Sequence, residues 1–294
     1  MLSILISCYN YDCRSIAHEL SIQCEHLNEK CEIIVGDDAS PNSDFVTLNS
    51  EINGYPYCRY EVNEYNLGRA AHRNSMAKKA KGEWLLFIDC DSEVCDDLFL
   101  TRYLKNQTHD VVCGGLCTPD INPCPKATLR YKYEREADKH RSANERNMHP
   151  YMHLTFFNLM IRKDVFMQIK LDENCREYGY EDALFGVELN SRNIAISHID
   201  NPLMHVGLEP NDVFLDKSET ALRTLSKLNG KMKNYSHVEN AALKLSSYSL
   251  DKIYIYFYNT TKRMMRKNLL GKNPSLFVFS LYKLGYYLCL SKNK

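Results

Sequence analysis

Asp89–Cys90–Asp91 follows directly on the apolar run Glu83–Ile88 (EWLLFI). Two carboxylates just past a buried strand offer hard oxygen ligands with open positions, which suits Mg²⁺ or Mn²⁺. Such an ion bridges the oxygens of a diphosphate. The competing reading is a pair of solvated or helix-capping acids ahead of Asp96–Lys105. Asp37–Asp38 closes a second apolar run. A carboxylate there can accept hydrogen bonds from a base or ribose, or the Asp-Asp-Ala-Ser-Pro stretch can simply turn the chain. Glu181–Asp182 follows Tyr178–Gly179–Tyr180 and opens a helical pattern. An acid at a loop–helix junction can take a proton from a substrate hydroxyl, although the helix dipole alone also favours acids there. His205, between Met204 and Val206, is a candidate third metal ligand or a hydrogen-bonded core histidine. Arg69, His72 and Arg73 share a helix opened by Gly68. They can grip phosphate or form a solvated basic face.

The elements that must position these groups alternate. Leu2–Ser7, Glu32–Gly36, Arg59–Val62, Glu83–Ile88 and Asp110–Cys113 read as short strands, the first of them buried. Ser15–Leu27, the small-residue stretch to Ala80, and Asp96–Lys105 read as helices. Alternation at this spacing predicts an α/β layer with a mostly parallel sheet, whose ligands sit beyond the carboxyl ends of the strands. Three polar clusters fall there: Tyr9/Asn10, Asp37/Asp38 and Asp89/Asp91. Further on, Gly114–Pro125 reads as a loop and Lys126–His140 as a charged helix. Ser142–Pro150 reads as a polar, mobile stretch, followed by strands at Phe156–Arg162 and Ile194–His198. Asp164–Ile169 and Glu181–Arg192 are predicted helices, and the chain beyond Pro210 is helical.

At 294 residues the chain holds one or two domains and can bury a large core without staples. Lys+Arg and Asp+Glu are equal at 37 each, so no global field points to nucleic acid. Disordered, collagen-like and coiled-coil classes are excluded by composition. The first dozen residues lack a basic region and a small-residue cleavage site, so they do not read as a signal peptide. The expectation is a cytoplasmic protein whose twelve cysteines stay reduced. No CxxC pair occurs, so a zinc site is not expected, and the cysteines read as buried free thiols. From Asp251 onward the chain has nine Lys/Arg and one Asp among many Tyr, Phe and Leu. Leu276–Leu290 is too short, and interrupted by Lys283, to span a bilayer. Residues 251–294 suit an anionic membrane surface, or a helical arm packed on protein.

Taken in order, these clusters resemble the family 2 glycosyltransferases, the GT-A-type nucleotide-sugar transferases of bacterial surface glycans. The matching stretches are SILISCYNYD (3–12), EIIVGDDAS (32–40), NLGRAAHRNSMAKKAKGEWLLFIDCDSEV (66–94) and YGYEDALFGVEL (178–189), with the later His205. The resemblance implies a GT-A-like (Rossmann-like) catalytic domain over 1–210 and a helical, basic-aromatic extension over 211–294. It implies that Tyr9 and Asn10 line the nucleotide pocket and that Asp38 contacts the base from a turn supported by Asp37. Asp89 would face the ribose or donor sugar, Asp91 and His205 would bind the metal, and Asp89 would stand by as a further ligand. Arg69 and Arg73 would lie near the nucleotide. Asp182 would be the catalytic base, with Glu181 orienting the acceptor. The implied cofactor is Mn²⁺ or Mg²⁺, and the implied donor is a UDP-sugar. The implied acceptor is a glycan or lipid-linked glycan, reached by peripheral attachment to the inner face of the cytoplasmic membrane. Cys90 departs from the usual middle residue of the DxD. No Gln-x-x-Arg-Trp follows, which speaks for single addition rather than processive synthesis. Inversion is the expected outcome. A retaining transferase on the same scaffold, or a catalytically silent nucleotide- or glycan-binding module, are the alternatives.

Overall fold

The computed structural model describes the whole chain except residues 108, 176, 177, 229, 293 and 294, the last two of which end the basic tail. The chain forms two compact units. The first comprises residues 1–118, 140–176 and 185–207, and the second 119–139, 177–184 and 208–294.

The first unit is built on β1 (Leu2–Cys8), β2 (Cys31–Asp37), β3 (Cys58–Val62), β4 (Trp84–Asp89), β5 (Ser92–Val94), β6 (Val111–Cys113), β7 (Leu116–Cys117), β8 (Asn158–Arg162), β9 (Ile196–His198) and β10 (Leu203–His205). Seven strands pair in the order β3-β2-β1-β4-β8-β6-β9. Only β8 runs antiparallel to its neighbours. The α/β reading with a mostly parallel sheet therefore holds. Strand order reverses at β1, which has β2 on one side and β4 on the other, and the register sets Ser7 beside Asp89 and Cys8 beside Asp37. Such a reversal opens a crevice at the carboxyl ends of the strands.

The apolar runs are continuous because both faces of the sheet are covered. Leu2, Ile4, Ile6 and Cys8 of β1 join Ile33, Val35, Leu86 and Ile88 on one face, against Ile16, Ala17, Leu20 and Cys24 of α1 (Arg14–Glu25). Leu5, Ile34, Leu85 and Phe87 join the other face. There they meet Ala70, Met76 and Ala77 of α3 (Arg69–Lys79), which follows α2 (Ser43–Asn49). Each fully buried Ile or Phe contributes about 1.5–3 kcal/mol, so this sheet sets the stability of the unit.

Two stretches depart from expectation. Residues 142–150, read from sequence as polar and mobile, hold a helix. After α4 (Phe99–Lys105) and α5 (Thr128–Asp138), the short helix α6 (Ala143–Met148) starts with a reciprocal Ser142/Glu145 capping box. Arg146 docks it, donating to the carbonyls of Cys113, Gly114 and Ile199 and to His198 Nδ1 at 2.7–3.3 Å. Within the expected loop Gly114–Pro125, Leu116–Cys117 pairs with β10. With β5 it makes a small second sheet, β5-β10-β7, that sequence reading did not anticipate. The unit is completed by α7 (Lys163–Ile169) and by α8 (Glu181–Ser191) from Phe185 onward.

The second unit takes α5, the first turn of α8, and α9 (Asn211–Lys227), α10 (His237–Ser247), α11 (Asp251–Leu269) and α12 (Leu276–Lys292). Leu129, Phe214, Leu215, Tyr258, Met265, Leu269, Phe279 and Tyr282 form its core. Among the described residues no helix is long and apolar enough to cross a membrane.

Candidate active site

Each polar cluster at a strand end is braced from within the first unit. After β1, Tyr9 is exposed and Asn10 takes a left-handed backbone (φ 54°), a conformation Asn tolerates. The Asn10 amide donates to Ser40 Oγ at 2.7 Å, joining the end of β1 to the turn after β2. Asp37 is fully buried. Its carboxylate accepts the Ser40 amide at 2.7 Å and the Tyr60 hydroxyl at 2.6 Å. The Asp38 carboxylate accepts the amides of Leu67 and Gly68 at 2.8 and 2.9 Å and the Asn63 side chain at 3.0 Å. It therefore fixes the loop that opens α3. Three donors leave about one of a carboxylate's four acceptor positions open.

The basic residues on α3 separate sharply. Arg69 is exposed in its first turn. His72 is buried between Gly36 O and the Asn63 side chain, each 3.0 Å away, and burial pushes its pKa down. Arg73 is buried and donates to Asp89 Oδ1 at 2.6 Å, with its guanidinium 5.6 Å from the Phe156 ring centre. Burial alone would raise the Asp89 pKa, but Arg73 first and Arg69 second hold this carboxyl below its ordinary range. Asp89 stays ionised.

Asp91 follows one turn later. His205 ends β10, which pairs antiparallel with β5, and that register sets His205 beside Ser92. The imidazole Nε2 thus lies 3.2 Å from Asp91 Oδ2, across 114 positions of sequence. Phe157 packs edge-on against the ring, 5.4 Å between centroids. The Asp91 carbonyl accepts the amides of Val206 and Gly207. A Cβ at position 207 would stand 2.4 Å from Asp91 Cβ, so only glycine fits. Gly207→Ala is expected to cost about 1–3 kcal/mol, as overpacking does. An unchanged denaturation midpoint would show that the Asp91 turn yields freely.

Glu181 and Asp182 begin α8, in the second unit. Gly179 (φ 99°) and Tyr180 (φ 70°) both take left-handed backbone just before them. The consecutive left-handed residues turn the chain sharply into the helix, a costly conformation for Tyr. Helix α9 holds this turn. A Cβ on Gly179 would sit 2.7 Å from Ala221 Cβ, Thr224 Oγ1 donates to the Tyr178 carbonyl, and Lys217 lies over the Tyr178 ring. Glu181 is buried and Asp182 half-buried.

Residues 3–170 match the sequence profile of glycosyl transferase family 2. The chain belongs to that family. It is 29% identical over 142 residues to the uncharacterized glycosyltransferase YfnE of Bacillus subtilis (strain 168), covering 47% of this chain and 34% of that protein. It is 30% identical over 110 residues to the UDP-Glc:alpha-D-GlcNAc-diphosphoundecaprenol beta-1,3-glucosyltransferase WfaP of Escherichia coli, covering 37% and 40%. The chain thus spans less than half the length of either relative. Among solved structures, the mannosyltransferase PcManGT of Pyrobaculum calidifontis, in complex with GDP-Man and Mn²⁺, aligns over 100% of this chain and 86% of its own, with TM-score 0.57 and 11% identity. TarS 1–349 of S. aureus aligns over 99% and 90%, with TM-score 0.51 and 15% identity. At such identities the likeness concerns the fold, which is that of the GT-A glycosyltransferases.

In this family 2 member, several bracing residues escaped the sequence reading. Ser40, Tyr60 and Asn63 fix the two acids after β2. Tyr11 is half-buried, and burial together with the Asp91 charge pushes its phenol up to about 12. Of these, only Ser40 and Tyr11 lie in the motif stretches quoted above. The others act through pairings that a linear pattern does not encode.

Proposed function

We propose that this family 2 chain moves a sugar from a nucleotide sugar, a UDP-sugar, to a hydroxyl of a surface-glycan acceptor, with inversion at the anomeric carbon. The observation that carries the reading is the approach of Asp91 and His205 to 3.2 Å, just past β4 at the strand-order reversal. One carboxylate and one imidazole form a donor set that fits Mn²⁺ better than Mg²⁺, which prefers oxygen alone. Asp91 and His205 would hold the cation, with Asp89 beside them. When bound, a divalent cation supplies charge neutralisation to a departing nucleoside diphosphate. The WfaP relative, named for UDP-Glc and a diphosphoundecaprenol acceptor, and TarS, solved with UDP-GlcNAc, support the choice of donor and of a lipid-linked acceptor.

The chain's own residues do the rest. Tyr9 and Asn10 line the nucleotide pocket, and Asp38 meets the base from the turn that Asp37 braces. Arg69, exposed at the start of α3, meets phosphate, while Arg73 keeps Asp89 ionised toward the ribose or donor sugar. Asp182 takes the proton of the acceptor hydroxyl as its oxygen attacks, and Glu181 orients that acceptor. A single in-line displacement inverts the anomeric centre. A thermal-shift panel of nucleoside diphosphates with and without Mn²⁺ tests the site. A ligand at a hundredfold over its Kd stabilises by ~2.7 kcal/mol. The expected result is a Mn²⁺-dependent rise with uridine diphosphate that Asp91→Ala abolishes. An equal rise in the variant would overturn the metal assignment.

The same reading includes peripheral attachment at the inner face of the cytoplasmic membrane. On α11, Ile253, Tyr256, Phe257 and Met264 lie on one helical face and are exposed, and Lys252, Arg263 and Lys267 are exposed nearby. An apolar stripe with basic flanks suits anionic lipid. Deleting the tail would remove Tyr258, Met265, Leu269, Phe279 and Tyr282 from the core, so point changes are the cleaner probe. Flotation with anionic liposomes is expected for the wild type and lost in Ile253→Glu/Phe257→Glu. Equal flotation of both would take the membrane role away from this face.

A further inference from the structure

The reversal point of the sheet also gathers three thiols that the proposed transfer does not use. Cys8 is the last residue of β1, Cys13 immediately precedes α1, and Cys90 follows β4 between the two DxD aspartates. Their sulfur atoms all lie within 4.8 Å of one another. Cys8 and Cys13 are completely buried, and Cys90 is partly so. Sequence spacing gives no hint of this, because Cys90 reaches the others through the pairing of β1 with β4.

We propose that Cys8, Cys13 and Cys90 form a binding site for a thiophilic metal ion such as Zn²⁺ or Cu⁺, separate from the oxygen-and-imidazole pair at Asp91 and His205. Thiolates select soft cations. Zn–S bonds of about 2.3 Å set sulfurs roughly 3.8 Å apart in a tetrahedral shell, so sub-ångström to ångström shifts of side chains complete the geometry. The three thiols lose their protons to solvent as three metal–sulfur bonds form. Asp37 Oδ2 lies 3.9 Å from Cys8 Sγ but is held by the Tyr60 hydroxyl, so the three thiols are the ligands the chain offers there. The consequence is mechanical: an ion there ties the backbone turn that carries Asp89 and Asp91 to the end of β1 and the start of α1.

The test uses the full chain with Cd²⁺ as probe, in the presence of a weak competing chelator. A second thiol pair, Cys95 and Cys117, has sulfurs 3.7 Å apart and would compete, so the background is Cys95→Ser/Cys117→Ser. The expected result is one tight equivalent with a thiolate-to-cadmium charge-transfer band of three-sulfur intensity. Cys13→Ala should weaken binding by more than the roughly 10–100-fold that loss of an outer partner costs. Cys90→Ala, at a partly exposed position, should do the same and serves if Cys13→Ala fails to fold. A band that survives at full affinity in Cys90→Ala overturns the site. So does the absence of any chelator-resistant band in the folded parent.

Discussion

Asp182→Asn is expected to lower single-turnover sugar transfer by ~10²–10⁴-fold, the range supplied by a positioned general base. Nucleotide affinity should stay at the wild-type level, because Asp182 is assigned to the acceptor hydroxyl and not to the donor. The substitution is nearly isosteric. It removes a favourable charge from the first turn of a helix, which is worth only about 0.3–1 kcal/mol. The fold should therefore survive, and a loss of rate can be read as chemistry. Rates at saturating donor and acceptor, beside calorimetric titration with uridine diphosphate, separate the two quantities. A parallel loss of binding and turnover would sink the base assignment. Retention of the anomeric configuration in the wild-type product would instead favour the retaining alternative.

Arg73→Met should produce the largest loss of stability. Arg73 is 3% exposed and its partner Asp89 21% exposed, at 2.6 Å. Removing one member of a buried ion pair leaves an uncompensated charge and costs about 3–5 kcal/mol. The partial exposure of Asp89 puts the expectation at the lower end. The pH dependence has a definite sign. Because the Asp89 pKa is depressed in the folded chain, its contribution is present above the ordinary carboxylate range and is lost as pH falls through the depressed value. The wild type should exceed the variant most at neutral pH, and the gap should close in acid. Denaturant titrations at pH 7 and near pH 3 check this. A gap of equal size at both would show that Arg73 acts through its packing on Phe156 rather than through charge.

The second prediction rests on a residue that helical spacing alone ranked as the equal of its neighbours. Arg69, His72 and Arg73 lie on the same helix with similar spacing. Only the packing of α3 against the sheet exposes the first, gives the second a backbone carbonyl and buries the third on Asp89. The four main-sheet strands β1 to β4, by contrast, were legible to within a residue or two at each end. β1, β2 and β4 are largely apolar runs closed by a polar cluster, while β3 is a mixed, partly buried stretch. The acids at those ends were legible for the same reason, since a run that must be buried on both faces ends where charge begins.

The sequence by itself therefore determined the α/β class, the polar clusters at the strand ends, and the opening of a helix at Glu181–Asp182. These are local features, set by hydrophobic runs and the residues that stop them. Tertiary structure alone decided the Arg73–Asp89 pair and the trio Cys8, Cys13 and Cys90, and it set the 3.2 Å approach of Asp91 to His205, two residues that the family resemblance had already joined. It also decided the order of residues 143–148 and the gathering of residues 119–139 and 177–184 with the C-terminal helices. The Asp91–His205 contact depends on strands of two or three residues, too short to carry a periodic signal, and the cysteine trio depends on the pairing of β1 with β4, more than seventy residues apart. Local propensity cannot encode such pairings; they arise when the sheet and its covering helices close.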